Sequence, residues 1–309
     1  MAMLASCAVA ALLIALCELG LRSLPSPYKT KYQGVTRSAA PTKLLILGNS
    51  HFFYGLNPEH FSTTAFNAAN VSQDLKYDLH ILKTALQNQP GIESVILPLS
   101  VFSLTSELEG GVESWRRYQY RLYMDYRAYP WFEHLDPSNF SLLFASQHKL
   151  KLLQRLLQSW RGLPSDRDWT DSGWGSAYFA AASRAQLEAS GQSAAHRHLK
   201  FQTLNPVSVD SLRQIIELCA SKNIRLLMVV PPAFETYRKH VPANRGEEVK
   251  SLALSLAAAQ PNARLIDLFA DSSFEAEDYF DADHLNRQGA EKLSRRLDEM
   301  IRSWPLVTR

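Results

Sequence analysis

Apolar residues occur along this chain in two rhythms, short unbroken runs and longer stretches with helical spacing, and the two alternate. The run Lys43-Leu44-Leu45-Ile46-Leu47-Gly48 is apolar after its first residue and ends in glycine, as a buried parallel strand does. Residues 64–68 predict a weaker second strand and residues 94–100 a third, with Pro98 removing one donor near its end. Leu75, Leu79, Leu82 and Leu86 mark residues 74–89 as a helix between them. Residues 209–222, 224–230, 246–259 and 264–269 then read helix, strand, helix, strand, and 288–304 closes the chain as an amphipathic helix. This alternation predicts an α/β protein. Its form is a three-layer α/β/α sandwich around a central parallel sheet, with active groups at the carboxyl ends of the strands.

The rhythm breaks twice. Residues 104–206 read as a helical, aromatic-rich insertion holding Trp115, Trp131, Trp160, Trp169 and Trp174 beside Tyr118, Tyr120, Tyr123, Tyr126 and Tyr129. Such aromatics pack an insertion against the sheet or touch a membrane interface, and an insertion after the third strand sits where a lid or substrate wall stands. The other break is residues 1–22, which carry no charge before Glu18 and stay apolar to Leu21. As a helix, about 21 residues reach roughly 31 Å, the thickness of a bilayer core, with Glu18 close enough to one end to reach the headgroups. No basic segment precedes the apolar run and no small-x-small site precedes Pro25-Ser26-Pro27, so an uncleaved anchor is favoured over a cleaved signal peptide. Residues 23–41, polar and with Pro25, Pro27 and Pro41, read as a linker to a domain spanning 42–309. Arg22, Lys29, Lys31 and Arg37 follow the span, and the positive-inside rule by itself would place them in the cytoplasm.

Composition narrows the function classes. The 309 residues are 46% hydrophobic and 20% charged, which excludes a disordered or low-complexity chain. A formal charge of +3 without a long basic run gives nucleic-acid binding little electrostatic support. Cys7, Cys17 and Cys219 make no disulfide framework, since two sit in the N-terminal apolar stretch and the third in a helical run.

Candidate chemistry lies at two distant places. Gly48-Asn49-Ser50-His51 sets a serine directly after the first strand, behind a glycine that permits a tight turn. Far downstream, Tyr279-Phe280-Asp281-Ala282-Asp283-His284-Leu285-Asn286 precedes the last helix. A serine nucleophile needs a base, and the base needs an orienting carboxylate. Asp281 and His284, three apart on a turn, converge more readily than the neighbours Asp283 and His284, which leaves the other ring nitrogen for Ser50. Each motif alone reads as a helix cap; the two in this order read as catalytic. Asn49 and His51 are candidate substrate contacts. His196-Arg197-His198 has metal-like spacing only as a strand and lacks a supporting carboxylate, so no metal site is assigned and no cofactor is expected. Tyr237 and Arg238, in a loop after a strand, read equally as substrate contacts or surface residues.

With these residues in place, the chain resembles the SGNH/GDSL hydrolase superfamily, whose first motif is Gly-Asp-Ser-x after the first strand and whose last is Asp-x-x-His. Here the motifs read Gly48-Asn49-Ser50-His51 and Asp281-Ala282-Asp283-His284, and the resemblance covers about 43–302 without the insertion. It implies Ser50 as nucleophile, His284 as general acid/base and Asp281 as its orienter. The oxyanion glycine after the second strand is matched by Ser72, whose backbone N–H can still serve beside that of Ser50. The oxyanion asparagine after the third strand is absent from Ser100-Val101-Phe102-Ser103, and Ser100 is the nearest substitute. One such donor is worth roughly 3 kcal/mol of transition-state stabilisation, so the departure bears on catalysis.

The fuller pattern, with Tyr54-Gly55-Leu56-Asn57-Pro58 and Asp283-His284-Leu285-Asn286, is similar to membrane-anchored members of bacterial cell-surface polymer modification, such as alginate O-acetylation proteins and the D-alanyl transfer protein of teichoic acid. That resemblance implies O-acyl transfer to an exported polysaccharide through an acyl-Ser50 intermediate. It also implies an acyl donor, a glycan acceptor and a multispanning membrane O-acyltransferase as partners. The site would lie outside the bacterial cytoplasmic membrane, opposite to the charge rule. A carbohydrate esterase or deacetylase of the same fold, or a non-catalytic scaffold for the membrane acyltransferase, are the alternatives.

Overall fold

The short apolar runs read as strands lie side by side in one sheet. The computed structural model describes residues 2–37, 41–128, 135–164 and 167–304. In it β1 (Leu44–Ile46), β2 (Ala65–Asn67), β3 (Ser94–Pro98), β4 (Arg225–Val230) and β5 (Ala263–Asp267) form a parallel sheet in the order β2-β1-β3-β4-β5. β1, β3 and all of β4 but its first residue are buried, as continuous apolar runs covered on both faces must be. Ile46 pairs with Asn67 on one side and Ile96 on the other. From β1 the chain steps outward to β2 and then returns past β1 to β3, so the loops after β1 and β3 leave in opposite directions. Open α/β sheets of this topology place their sites at such a switch point, at the strands' carboxyl ends.

Helices complete three layers. On one face α4 (Leu75–Asn88) packs against α9 (Pro206–Ser221), and α9 against α11 (Ala243–Ala257). On the other, α12 (Arg287–Arg302) packs against the short α3 (Ser50–Gly55), burying Leu293, Leu297 and Ile301. Pro98 is tolerated because it is the last residue of β3.

The chain divides into two compact units, residues 1–30 with 112–167, and 31–111 with 168–309. The first holds α1 (Ala2–Ser23), α5 (Arg117–Met124), α6 (Leu142–Ala145) and α7 (Lys149–Trp160); the second holds the sheet. Residues 104–206 are thus shared between them: Trp115 and Trp160 fall in the first, Trp169 and Trp174 in the second, and Tyr129 and Trp131 lie outside the described residues. Within α1, Met3–Ser23 is long and apolar enough to cross a membrane, a test that a signal sequence also passes.

The stretch read as a linker differs from that reading, since Pro27–Thr36 is a helix, α2. Proline at its start suits a first helical position. Lys31, fully buried, donates to the carbonyls of Asn67 at 3.0 Å and Gly173 at 2.5 Å. Residues 38–40 of that stretch lie outside the described residues.

Candidate active site

The turn after β1 is fixed by its glycine. Gly48 has φ +114°, and a Cβ there would stand 2.1 Å from Pro98 Cγ, so a side chain is excluded both by conformation and by β3. Its N–H donates to Asp78 Oδ1 at 2.7 Å, and its carbonyl accepts from Asn70 N–H at 2.9 Å. Asn49 caps α3, accepting from the His51 N–H, and Ser50 follows as the first helical residue, partly exposed.

The partner turn precedes α12. Asp281 Oδ1 accepts from the N–H groups of Asp283 (3.1 Å) and His284 (2.8 Å), and the same carboxylate lies 2.9 and 3.1 Å from His284 Nδ1. One side chain therefore folds the turn and holds the ring. The opposite nitrogen, Nε2, is 2.8 Å from Ser50 Oγ, although 234 positions separate the two residues. Ser50, His284 and Asp281 form a continuous hydrogen-bonded chain at the carboxyl edge of the sheet.

A second, deeper layer surrounds Asp283. Its Oδ2 is 3.2 Å from His51 Nε2, 3.5 Å from His284 Nδ1 and 3.8 Å from His198 Nε2. His51 Nδ1 is 2.7 Å from Ser100 Oγ, and His198 Nδ1 is 2.9 Å from the Tyr237 hydroxyl. A carboxylate beside His51 Nε2 requires the proton on that nitrogen, so Nδ1 accepts and the Ser100 hydroxyl donates to it. Asp283 Oδ1 has no partner among the described residues, and a cavity of about 10 Å³ lined by His51, Ser100, Tyr237 and Asp283 adjoins it. Such a volume is roughly that of one water.

These contacts set the charges. Burial pulls His284 down, but the Asp283 and Asp281 carboxylates outweigh it and hold the imidazole up at about 9. Burial lowers His51 and takes His198 down to about 3, against the pull of Asp283. Burial opposes the Asp283 charge, yet the three imidazoles keep that carboxyl well below its ordinary range. At neutral pH the cluster is a buried Asp283 carboxylate facing a His284 imidazolium, with His51 and His198 neutral.

Several residues differ from their sequence reading. Asn49 and His51 are not open substrate contacts: only 4% and 6% exposed, they commit their side chains to Ser100, Asp283 and the α3 cap. Ser100 is also buried, and with the His51 proton on Nε2 its hydroxyl donates to His51 Nδ1. Ser72 is partly exposed with φ +57°, a conformation that favours glycine, and among the described residues neither its N–H nor that of Ser50 has an acceptor. Tyr237 is buried rather than superficial, and His198 lies at the end of α8 (Arg184–His198). His51, Asp283 and His284 bring ligand atoms within 4.8 Å of one another, while the ring nitrogens of His51 hold Ser100 and Asp283 and those of His284 hold Asp281 and Ser50.

Tyr178 escaped the sequence reading. Its ring stacks between Tyr54 (3.8 Å between centroids) and Phe280 (3.7 Å), and lies 5.6 Å from the His284 ring. The three rings wall the base on one side. The two stacking partners, Tyr54 and Phe280, lie within the sequence motifs, but nothing near Tyr178 itself pointed there.

No family model and no curated protein sequence matches this chain. A solved structure, of a candidate platelet activating factor from Streptococcus pneumonia, is similar over 95% of this chain and 99% of its own, at 13% identity and a TM-score of 0.45.

Proposed function

We propose that the protein is a serine-dependent acyltransferase that moves an O-acyl group to an exported polysaccharide. The observation that carries this reading is the chain from Ser50 Oγ through His284 to Asp281. Neutral His284 Nε2 takes the hydroxyl proton as Ser50 Oγ attacks the carbonyl carbon of the acyl donor. The oxyanion that forms faces the N–H groups of Ser50 and Ser72. Collapse expels the donor's alcohol, which receives the proton from His284 and leaves acyl-Ser50. A sugar hydroxyl then gives its proton to His284, attacks the acyl carbon and departs as the ester, restoring the Ser50 hydroxyl. Water in place of the sugar gives hydrolysis.

What supports a surface glycan as acceptor is the motif resemblance together with the N-terminal helix. On this reading α1 is an anchor in the bacterial cytoplasmic membrane, and the sheet unit faces outward to meet acyl donor, glycan and a multispanning O-acyltransferase. The test follows free acid and acylated glycan from one acyl donor, with glycan added or withheld. Acylated glycan that forms at the expense of free acid supports transfer. Free acid that no acceptor suppresses makes the protein an esterase, and no Ser50-dependent product of either kind makes it a scaffold.

A further inference from the structure

Helix α7 carries more apolar surface than its own unit covers. Leu152 and Leu156, four apart, pack with Leu21 and Leu24 at the end of α1. Leu150, Leu153, Leu157 and Trp160 follow at spacings of three and four and form an adjoining stripe. That stripe is left open: Leu150 is 79%, Leu157 50% and Trp160 68% exposed. Lys149, Lys151 and Arg161 are exposed along the same stretch.

The open stripe is tied to the depth at which α1 would leave a bilayer. A Cβ on Gly20 would meet Leu156 Cδ1 at 3.0 Å and Trp160 Cζ2 at 3.7 Å, so Trp160 lies against the last turns of α1. Glu18 accepts from Ser141 Oγ and the Leu142 N–H, and Arg22 donates to the Phe140 carbonyl. These contacts fix α6 at the same level, with Phe140 and Phe144 more than half exposed. Apolar and aromatic side chains interleaved with cations, beside the end of a span, match the boundary between acyl chains and headgroups.

We propose that α6 and α7 form an interfacial foot that lies in the lipid surface beside α1. The occupant of the open stripe is lipid, because the stripe continues the apolar surface of the span itself. This inference rests on the reading of α1 as a membrane anchor. The foot adds apolar burial and cation–headgroup attraction to a single helix, and it fixes the rotation of the first unit about that helix.

The test uses the full chain in nanodiscs containing anionic lipid, with Cys7→Ser, Cys17→Ser and Cys219→Ala as background. Spin labels are placed singly through Leu150→Cys, Leu157→Cys, Gln158→Cys and, as a control in the span, Leu13→Cys. The ratio of collision with oxygen to collision with a water-soluble nickel chelate is expected to be several-fold higher at 150 and 157 than at 158, and highest at 13. Labels at 150 and 157 that match 158 while 13 remains in lipid overturn the foot and leave the anchor standing. Shielding of 150 and 157 from both reagents overturns it in favour of a protein covering. A label at 13 that is open to the chelate removes the anchor, and the foot with it.

Discussion

Asp281 and Asp283 stand two positions apart on one turn and hold different partners. Asp281 is open to solvent on one side and grips His284 Nδ1, whereas Asp283 is buried among three imidazoles. On the proposed mechanism only neutral imidazole accepts the serine proton, so with His284 held at about 9 the rate of acyl transfer is expected to rise with pH toward that value. Asp283→Asn removes the charge that most raises His284, and the rising limb is expected to move to lower pH. Asp281→Asn is expected to lower kcat by roughly 100-fold or more, because the ring loses its hold. A pH–rate profile of the two variants, with thermal unfolding as control, checks both. An unmoved limb in Asp283→Asn, or a greater loss of kcat there than in Asp281→Asn, contradicts the assignment. That Ser50, Asp281 and His284 belong together was legible because Asp-x-x-His and the strand-glycine-serine motif are local patterns. His198 and Tyr178 were not, since helix α8 and the aromatic stack reach the site from segments whose own spacing says nothing of what they approach. His51 was visible as a candidate but not its burial, which depends on Ser100 and Asp283 from two other loops.

At the next scale, the turn that presents Ser50 depends on α4. Asp78, buried on that helix, accepts from the Gly48 N–H and from Gln73 Nε2, and burial raises its carboxyl to about 7 against those bonds. The folded state therefore keeps a proton that the unfolded chain gives up near 4, and stability falls as pH rises between those values. Asp78→Asn keeps an acceptor for Gly48 and is expected to flatten that slope, while Asp78→Ala leaves the N–H buried and unpaired at a cost of about 1–3 kcal/mol. Chemical unfolding of the purified chain at several pH values measures both. An unchanged slope in Asp78→Asn contradicts the linkage. Most elements were legible from their rhythm, because strands buried on both faces must be apolar throughout and covering helices must be apolar on one side. Helix α2 was not, for its buried groups include a lysine that satisfies two carbonyls, and composition alone counts that residue as surface.

For the molecule as a whole, the parallel sheet accounts for why residues at opposite ends of the sequence meet. Ser50 follows β1 at the switch point between β1 and β3, and His284, from the loop leading into α12, meets it there. Alternation of strand and helix foretold that edge. It did not foretell that residues 104–206 divide between two units, because tryptophans that cover a sheet and tryptophans that accompany a membrane helix look alike in a sequence. The central claim is that Ser50 carries the acyl group. Intact-protein mass spectrometry after exposure to an activated acetyl ester tests it most directly. The account predicts one added acetyl group on the wild-type chain, on the peptide containing Ser50, and none there on Ser50→Ala. An adduct that persists in Ser50→Ala, or a wild-type Ser50 that never acylates at a pH where His284 is neutral, would contradict it.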